Sequence, residues 1–476
     1  MAIRTFILAG LLTLSSVNAK EVLVRFENNN TAEHQSFFKQ HGGRYELVSL
    51  EGALYKWNTE LSTENMWDNR VRYFEKNKVI SLFQNPSLEA NRSDILAELE
   101  KRGIRPMGNA YPDNPTILNP KAEKSGSDPM LQKAWGIFMT KSDSAWKSMP
   151  QGQDIVVAVT DTGVDYNHDD LVNNMWRNPG EITGDGIDND GNGYIDDVVG
   201  WDFVSKDNKP YDLSMDLMSI IMGGGNPGHG THVSGVIASS LNNSAGAAGV
   251  APKAKIMALR FIGENGQGDT AGAIGAIDYA ANNGAKIINA SWGGEMGKGA
   301  EAVAEEQTLI EAIQRAEAKG VIFVAAAGNG RAAAGGGAAG FDLDTDASPV
   351  SPAALTNANI MTVAAINDKE ALADFSNFGK VSVDIGAPGV KILSTVPGNR
   401  YQDTIIELGA MMTVTWDGTS MAAPFIAGAL AATWSKDPSR SWQEVYNTLL
   451  RAASPIAALN GKVKSNGRLE LSSVTF

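Results

Sequence analysis

The sequence predicts an α/β protein in which a mainly parallel sheet flanked by helices follows a small α+β unit. Three observations carry this reading. Asp154–Thr160 and Val321–Ala327 are continuous apolar runs, the pattern of strands buried on both faces of a parallel sheet. His229–Ala238 and Phe425–Ala432 are apolar stretches rich in small residues, as buried helices are. Residues 20–92 instead alternate apolar and charged side chains, the mark of half-buried strands.

A chain of 476 residues has room for about two to four domains. A hydrophobic fraction of 43% and a charged fraction of 20% are globular values, which exclude wholesale disorder and collagen-like repeats. Lys plus Arg number 40 against 54 Asp plus Glu, a net charge of -14. Phosphate binding needs a basic face, so a general nucleic-acid binder is excluded. The absence of Cys excludes disulfides, thiolate catalysis, Cys-ligated zinc and lipid attachment through Cys.

The elements follow in order. Arg4, the apolar run Phe6–Leu14 and Val17-Asn18-Ala19 form a signal peptide cut after Ala19, so residues 1–19 direct the chain to the periplasm or the medium. That run is too short for about 30 Å of hydrocarbon, and no later stretch reaches ~18 uncharged apolar residues, so no membrane anchor is expected. In residues 20–92, Val22, Val24 and Phe26 mark a strand, and Ala32–His41 a helix ended by Gly42-Gly43. Tyr45–Trp57 alternates again, Met66–Glu75 is a second helix and Lys78–Phe83 a last strand. This is a β-α-β-β-α-β, ferredoxin-like pattern, with ten basic and ten acidic residues. Residues 93–125 read as a linker: a charged helix (Asp94–Arg102), then Pro106, Pro112, Pro115 and Pro120, which favour exposed, extended chain open to proteolysis. A maturation cut is expected there. Residues 126–476 carry 24 basic and 39 acidic side chains, so the acidity belongs to this last domain.

Three motifs in that domain carry chemistry. The run Asp154–Thr160 ends in Asp161-Thr162-Gly163, a carboxylate at the carboxyl end of a buried strand, where α/β folds place their sites; a helix-capping Asp is the plainer alternative. His229-Gly230-Thr231-His232 opens a buried helix. The Glu of a His-Glu-x-x-His zinc site is absent, and only His168, His229 and His232 remain in this domain to act as an imidazole base. Gly418-Thr419-Ser420-Met421-Ala422-Ala423-Pro424 turns into another apolar helix and presents Ser420 at its N-terminus, where the dipole favours developing negative charge; an ordinary N-cap is the alternative.

The order Asp, His, Ser is that of subtilisin, and the sequence from about residue 126 to 476 resembles the subtilisin-like serine proteases. The resemblance implies an endopeptidase acting on proteins and peptides through an acyl-enzyme. Asp161 would orient the imidazole, His229 act as general base and Ser420 as nucleophile. Asn329, after the run Val321–Ala327 and Gly328, would give its amide to the oxyanion together with the Ser420 N–H. His232 would be structural. Asp169, in His168-Asp169-Asp170-Leu171, stands where the family usually has Pro. Ser291, Trp292, Gly293 and Gly294, with Gly266 and Gly268, would pair with the backbone of an extended substrate, beside Ala327 and Gly328. Trp292 would either narrow a subsite or pack beneath the loop. By the same resemblance, residues 20–92 are a propeptide, an inhibitor and folding chaperone of a zymogen that acts as a monomer. The rival expectation is a catalytically inactive, calcium-dependent binding module on a protease scaffold.

The acidity concentrates between Glu181 and Asp216, with ten carboxylates and two Lys. Asp188, Asp190, Asn192, the Tyr194 carbonyl and Asp196 match positions 1, 3, 5, 7 and 9 of an EF-hand-type loop, with Gly193 at the turn. Val199 stands where the bidentate Glu would be, so Asp185 or Asp197 must complete a calcium shell. A second calcium site rests on the resemblance. Leu241–Pro252 matches the family's calcium loop, in which Asn243 offers its side-chain oxygen and Leu241, Ala245 and Ala247 their carbonyls, with Asp170 and Asp128 completing the set. Two stretches depart from the family: Asp212–Pro227, with seven apolar residues before His229, and the Ala/Gly-rich loop from Arg331 to Gly340. Both flank the cleft, and the first is read as a lid, a partner surface or a packed helix.

Overall fold

A computed structural model describes residues 20–63, 66–83, 85, 116–122, 125–214, 225–296, 305–332, 338–407 and 413–475. The leader expected at 1–19, the helix expected at 94–102, most of the 212–227 stretch and the centre of the 331–340 loop lie outside the described residues. The chain divides into two compact units, Met1–Asn77 and Lys78–Phe476.

In the first unit, β1 (Lys20–Phe26), α1 (Thr31–His41), β2 (Arg44–Ser49), β3 (Leu54–Thr59) and β4 (Val71–Lys76) make an antiparallel sheet of order β2-β3-β1-β4. The Asn30 side chain caps α1 by accepting from Ala32 N–H at 3.2 Å, and Gly42 ends it at φ +71°. Phe26, Phe37, Phe38, Tyr55 and Trp57 fill the core. The helix expected over Met66–Glu75 is not formed. Asp68 Oδ1 accepts from the Arg70 N–H at 2.9 Å and so closes a turn, after which Val71, Tyr73 and Phe74 extend as β4 against β1, with Val24 opposite Phe74. The strand expected at Lys78–Phe83 does form, as β5 (Val79–Leu82), but within the second unit.

The second unit is built on a nine-stranded sheet. Its strands are β6 (Val156–Asp161), β7 (Gly200–Asp202), β8 (Lys255–Arg260), β10 (Ile287–Ala290), β12 (Ile322–Ala326), β14 (Ile360–Ile366), β15 (Ile385–Pro388), β16 (Ser454–Pro455) and β17 (Gly467–Arg468). Their order is β16-β17-β15-β14-β12-β10-β6-β8-β7, every pair parallel except β16 with β17. The apolar runs read as buried strands are β6 and β12, whose residues are buried except for half-buried Val156.

Helices α2 (His229–Ala238), α3 (Thr270–Asn282), α4 (Gln307–Ala318), α5 (Thr419–Trp434) and α6 (Trp442–Arg451) cover the sheet. Every residue of α2 and α5 is buried. Such helices are held by packing on all sides. Helix α5 packs on α2 and on β10, β12 and β14. A smaller antiparallel sheet has the order β13-β11-β5-β9, from β13 (Val350–Ser351), β11 (Trp292–Glu295), β5 and β9 (Gln267–Asp269). Among the described residues no helix is long and apolar enough to cross a membrane.

Candidate active site

The carboxyl ends of β6, β10 and β12 and the first turns of α2 and α5 deliver the motif residues to one place. Asp161 ends β6 and is fully buried. Its carboxylate accepts from His229 Nδ1 at 2.8 and 3.0 Å, and from the Thr162 N–H at 2.7 Å. Gly230 makes this approach possible, because a Cβ there would strike the Gly163 carbonyl and come within 3.2 Å of Asp161 Cβ. The other ring nitrogen, His229 Nε2, is buried without a hydrogen-bond partner among the described residues.

A polar network that the motifs do not name closes the start of α2. Asn226 Oδ1 accepts from the Gly228 and His229 N–H groups, both at 2.8 Å, and Thr162 Oγ1 from Gly230 N–H at 2.9 Å. Asp212, fully buried, accepts from Thr231 N–H at 2.8 Å, Thr231 Oγ1 at 2.6 Å, Thr162 Oγ1 at 2.9 Å and Asn226 Nδ2 at 2.5 Å. Burial pushes the Asp212 carboxyl up to about 6. The hydroxyls of Thr162 and Thr231 were the only hint of this acceptor in the sequence. The 17-position gap between Asp212 and His229 hides the contact.

Ser420 lies one residue inside α5 and is 2% exposed. In the rotamer present its hydroxyl donates to the Ser291 carbonyl at 3.0 Å, and no hydrogen bond to His229 is made. Pro424 sits four residues further along α5 and has no N–H to give the Ser420 carbonyl. Ser291 Oγ supplies that bond instead, at 2.9 Å. This reciprocal pair ties the turn before β11 to the nucleophile helix. Asn329 Oδ1 accepts from Thr419 N–H at 2.8 Å and Thr419 Oγ1 at 2.9 Å, which sets the amide so that Nδ2 faces Gly418. A Cβ on Gly418 would lie 3.1 Å from Asn329 Nδ2 and 3.6 Å from Ser420 N, so both nitrogens lie beside Gly418. The Ser420 N–H finds no acceptor among the described residues.

Of the remaining residues read from the sequence, Gly293 and Gly294 lie on β11 and Gly268 on β9, with Gly266 just before it; Ala327 and Gly328 follow β12. Trp292 packs rather than narrows: its ring is fully buried against Phe261 and Phe323, and Nε1 donates to the Thr160 carbonyl at 2.8 Å. His232 is fully buried, bonded through Nε2 to the Ile392 carbonyl at 2.9 Å and stacked on Trp416. Burial depresses it to about 3, so it stays neutral. His168 bonds the Arg400 carbonyl at 3.1 Å.

In the acidic loop, Asp188 and Asp190 meet Glu181, whose oxygens lie within 4.8 Å of theirs. The loop spacing does not name Glu181. Asp185, Asp196 and Asp197 lie outside that group. Asp185 accepts from Ile187 N–H, Asp196 from the Gly184 and Gly186 N–H groups, and Asp197 from Tyr279, Asn178 and Asn192. Asn192 Oδ1 accepts from Tyr194 N–H at 2.8 Å. In the second loop, Asp128 accepts from the Asn242 and Asn243 N–H groups at 2.8 and 2.9 Å, and Asp170 from Asn243 Nδ2. Asp170 Oδ2 is buried with no close hydrogen bond among the described residues, the Tyr401 hydroxyl being the donor that faces this carboxyl, and burial raises it to about 6. Leu241, Ala245 and Ala247 lie on the same loop.

A carboxylate-held imidazole and a helix-borne serine, with two amide nitrogens beside the serine's turn, are the equipment of an α/β serine hydrolase. Residues 152–471 match the model of the Subtilase family. The chain is 32% identical over 370 residues to the thermophilic serine proteinase of Bacillus sp. (strain AK1), covering 75% of this chain and 74% of that protein. It is 33% identical over 325 residues to thermitase from Thermoactinomyces vulgaris, covering 68% and 90%. It is 31% identical over 326 residues to subtilisin Savinase from Lederbergia lenta, covering 68% and 93%. The chain belongs to the subtilase family and is a subtilisin-like serine endopeptidase.

Proposed function

We propose that this endopeptidase is exported, made as a zymogen, stabilised by calcium and worked by Asp161, His229, Ser420 and Asn329. The observation that carries the assignment is the buried Asp161–His229 pair, whose Nε2 has no hydrogen-bond partner among the described residues, on a helix packed against the one that bears Ser420. Asp161 holds Nδ1 as the donor, which leaves Nε2 the lone pair a base needs. The Ser420 hydroxyl leaves the Ser291 carbonyl, gives its proton to Nε2 and attacks the scissile carbonyl. Negative charge then grows on the former carbonyl oxygen, between Asn329 Nδ2 and the Ser420 N–H at the start of α5. Nε2 returns the proton to the leaving amine.

The leader at 1–19 supports export. The inhibitor reading of residues 20–92 is supported by β5, which fills the place between β11 and β9 that a substrate strand needs. Two oxygen-rich sets fit calcium: Asp188 and Asp190 with Glu181, and Asp128, Asp170 and Asn243 with the carbonyls of Leu241, Ala245 and Ala247. The buried Asp170 carboxyl, with Asp128 close enough to repel it, favours the second. A bound calcium supplies positive charge to these carboxylates and stabilises the fold by linkage.

The test of the catalytic assignment is a fluorophosphonate probe, mapped by peptide mass spectrometry. Label at Ser420, lost in His229→Ala, is expected; label elsewhere, or label that survives Ser420→Ala, contradicts it. Chelation should lower the melting temperature and speed self-digestion, and an unchanged melting temperature contradicts the calcium reading.

A further inference from the structure

Lys78, the residue just ahead of β5, is the first of the second unit and sits in a place made for a cation. Its carbonyl accepts from the N–H of Thr270, the first residue of α3, at 3.0 Å and from Thr270 Oγ1 at 3.3 Å. Its Nζ lies 2.7 Å from Glu306 Oε1 and 3.2 Å from Glu305 Oε2. Glu306 is 5% exposed, and an ionised carboxylate stays buried only where it is paired. Ser351 Oγ, on β13, donates to Glu306 Oε2 at 2.7 Å, which leaves Oε1 for the ammonium.

Glu306 immediately precedes α4, where an acidic side chain commonly caps its own helix. It makes no such bond. The dipole of α4 favours its charge, but its two oxygens are spent on Ser351 and Lys78. A position that needed only to be filled would hold an apolar side chain at less cost. The carboxylate also lies well away from the catalytic groups. Strand β5 runs between β9 and β11, with Val79 opposite Asp269, Ile80 opposite Gly268 and Ser81 opposite Gly293. Phe83, whose ring lies beside Gly293 and Gly328, comes five residues after Lys78. At 3.3 Å per residue the two are about 17 Å apart along the chain. A peptide that enters in the register of β5 therefore brings one side chain to Glu306, and the backbone partners fix which one.

We propose that Glu306, aimed by Ser351 and flanked by Glu305, is a specificity-determining residue that takes a lysine or arginine side chain from an extended substrate, five residues ahead of the residue seated beside Gly293 and Gly328. This rests on the protease reading above. In the full chain Lys78 fills the place; in a substrate complex a basic side chain of the substrate does. With no chain in the groove, water reaches the carboxylate. A substrate with a neutral residue there buries Glu306 again without a cation, and one with glutamate adds a further negative charge. The site thus attracts one class of substrate and rejects another.

The experiment is a series of quenched fluorescent peptides cut by the matured enzyme, each cut mapped by mass spectrometry. They carry Lys, Arg, norleucine or Glu five residues ahead of the residue on the carbonyl side of the cut. The expected kcat/KM is about tenfold or more higher for Lys and Arg than for norleucine, and lowest for Glu. Moving the Lys by one residue in either direction should remove the gain. In Glu306→Gln, which keeps an acceptor for Ser351 Oγ, the ratio of Lys to norleucine should fall to within about twofold of one. Fluorophosphonate label at Ser420 counts the folded enzyme in each variant. If Glu306→Gln takes no label, Ser351→Ala replaces it: loss of the hydroxyl that aims the carboxylate should narrow the ratio, and an unchanged ratio overturns the proposal. Ser420-dependent cutting with no preference at that position, or a preference that survives Glu306→Gln, also overturns it and leaves the protease reading standing. Cutting that survives Ser420→Ala overturns the protease reading itself.

Discussion

Helices α2 and α5 begin alike and end up doing opposite work. Each starts after a glycine at positive φ, Gly228 at +99° and Gly418 at +155°, with no side-chain cap from that residue, and each is wholly buried. At α2 the amides of His229, Gly230 and Thr231 are all taken, by Asn226, Thr162 and Asp212. At α5 the amide of Thr419 is taken by Asn329, and that of Ser420 is left open among the described residues. A closed terminus spends its dipole on protein oxygens and holds a side chain still. An open one keeps it for an anion that exists only during reaction. The imidazole sits on the closed end and the nucleophile on the open end.

Breaking the open end should have the largest effects. Ser420→Ala should lower kcat about 10⁶-fold, the size known for the triad serine of subtilisin itself, read in a peptide hydrolysis assay. Asn329→Leu should lower kcat by about 10²–10³, again the size known for the equivalent donor in subtilisin, with KM nearly unchanged. The closed end should respond in stability. Asn226→Ala strands the Gly228 and His229 amides in a buried place, at a cost of about 1–3 kcal/mol, and should lower kcat less than Asn329→Leu does. Chemical denaturation of the inhibitor-blocked enzyme measures it.

The smallest effect at neutral pH concerns His232, behind the closed end. The unfolded chain protonates it near pH 6.5, while burial keeps it neutral in the fold down to about 3. As pH falls the unfolded state takes the proton first. The stability due to neutral His232 is therefore whole above about pH 6.5 and is lost toward pH 3, at about 1.4 kcal/mol per pH unit. His232→Gln keeps a donor for the Ile392 carbonyl and removes the titration. Its stability should fall less steeply than that of the parent between pH 6 and 4, and equal slopes would refute the buried, neutral assignment.

The parts of this comparison differ in how far they could be read from the chain. Asp161, His229, Ser420 and Asn329 stand out because each follows a run whose periodicity announces a buried strand or helix. Asn226 and Asp212 do not, since their role depends on an irregular stretch folding back on α2, and no periodicity records that. The same limit explains β4. Met66–Glu75 contains good helix positions, but a turn at Asp68 and the open edge of β1 decide in favour of a strand. It also explains β5, whose apolar alternation was legible while its partners, nearly 190 and more than 200 residues away, were not. Trp292 was open between subsite and core until its indole N–H was seen on the Thr160 carbonyl.

The claim at the centre is that the α5 terminus stays open for an oxyanion held by Asn329 and Ser420. A peptide boronic acid, which forms a tetrahedral anionic adduct with a serine, tests it through its inhibition constants on the parent, Asn329→Leu and Ser420→Ala. The account predicts binding about 10²–10³ weaker in Asn329→Leu and no tetrahedral adduct in Ser420→Ala. Equal inhibition of the parent and Asn329→Leu would contradict it.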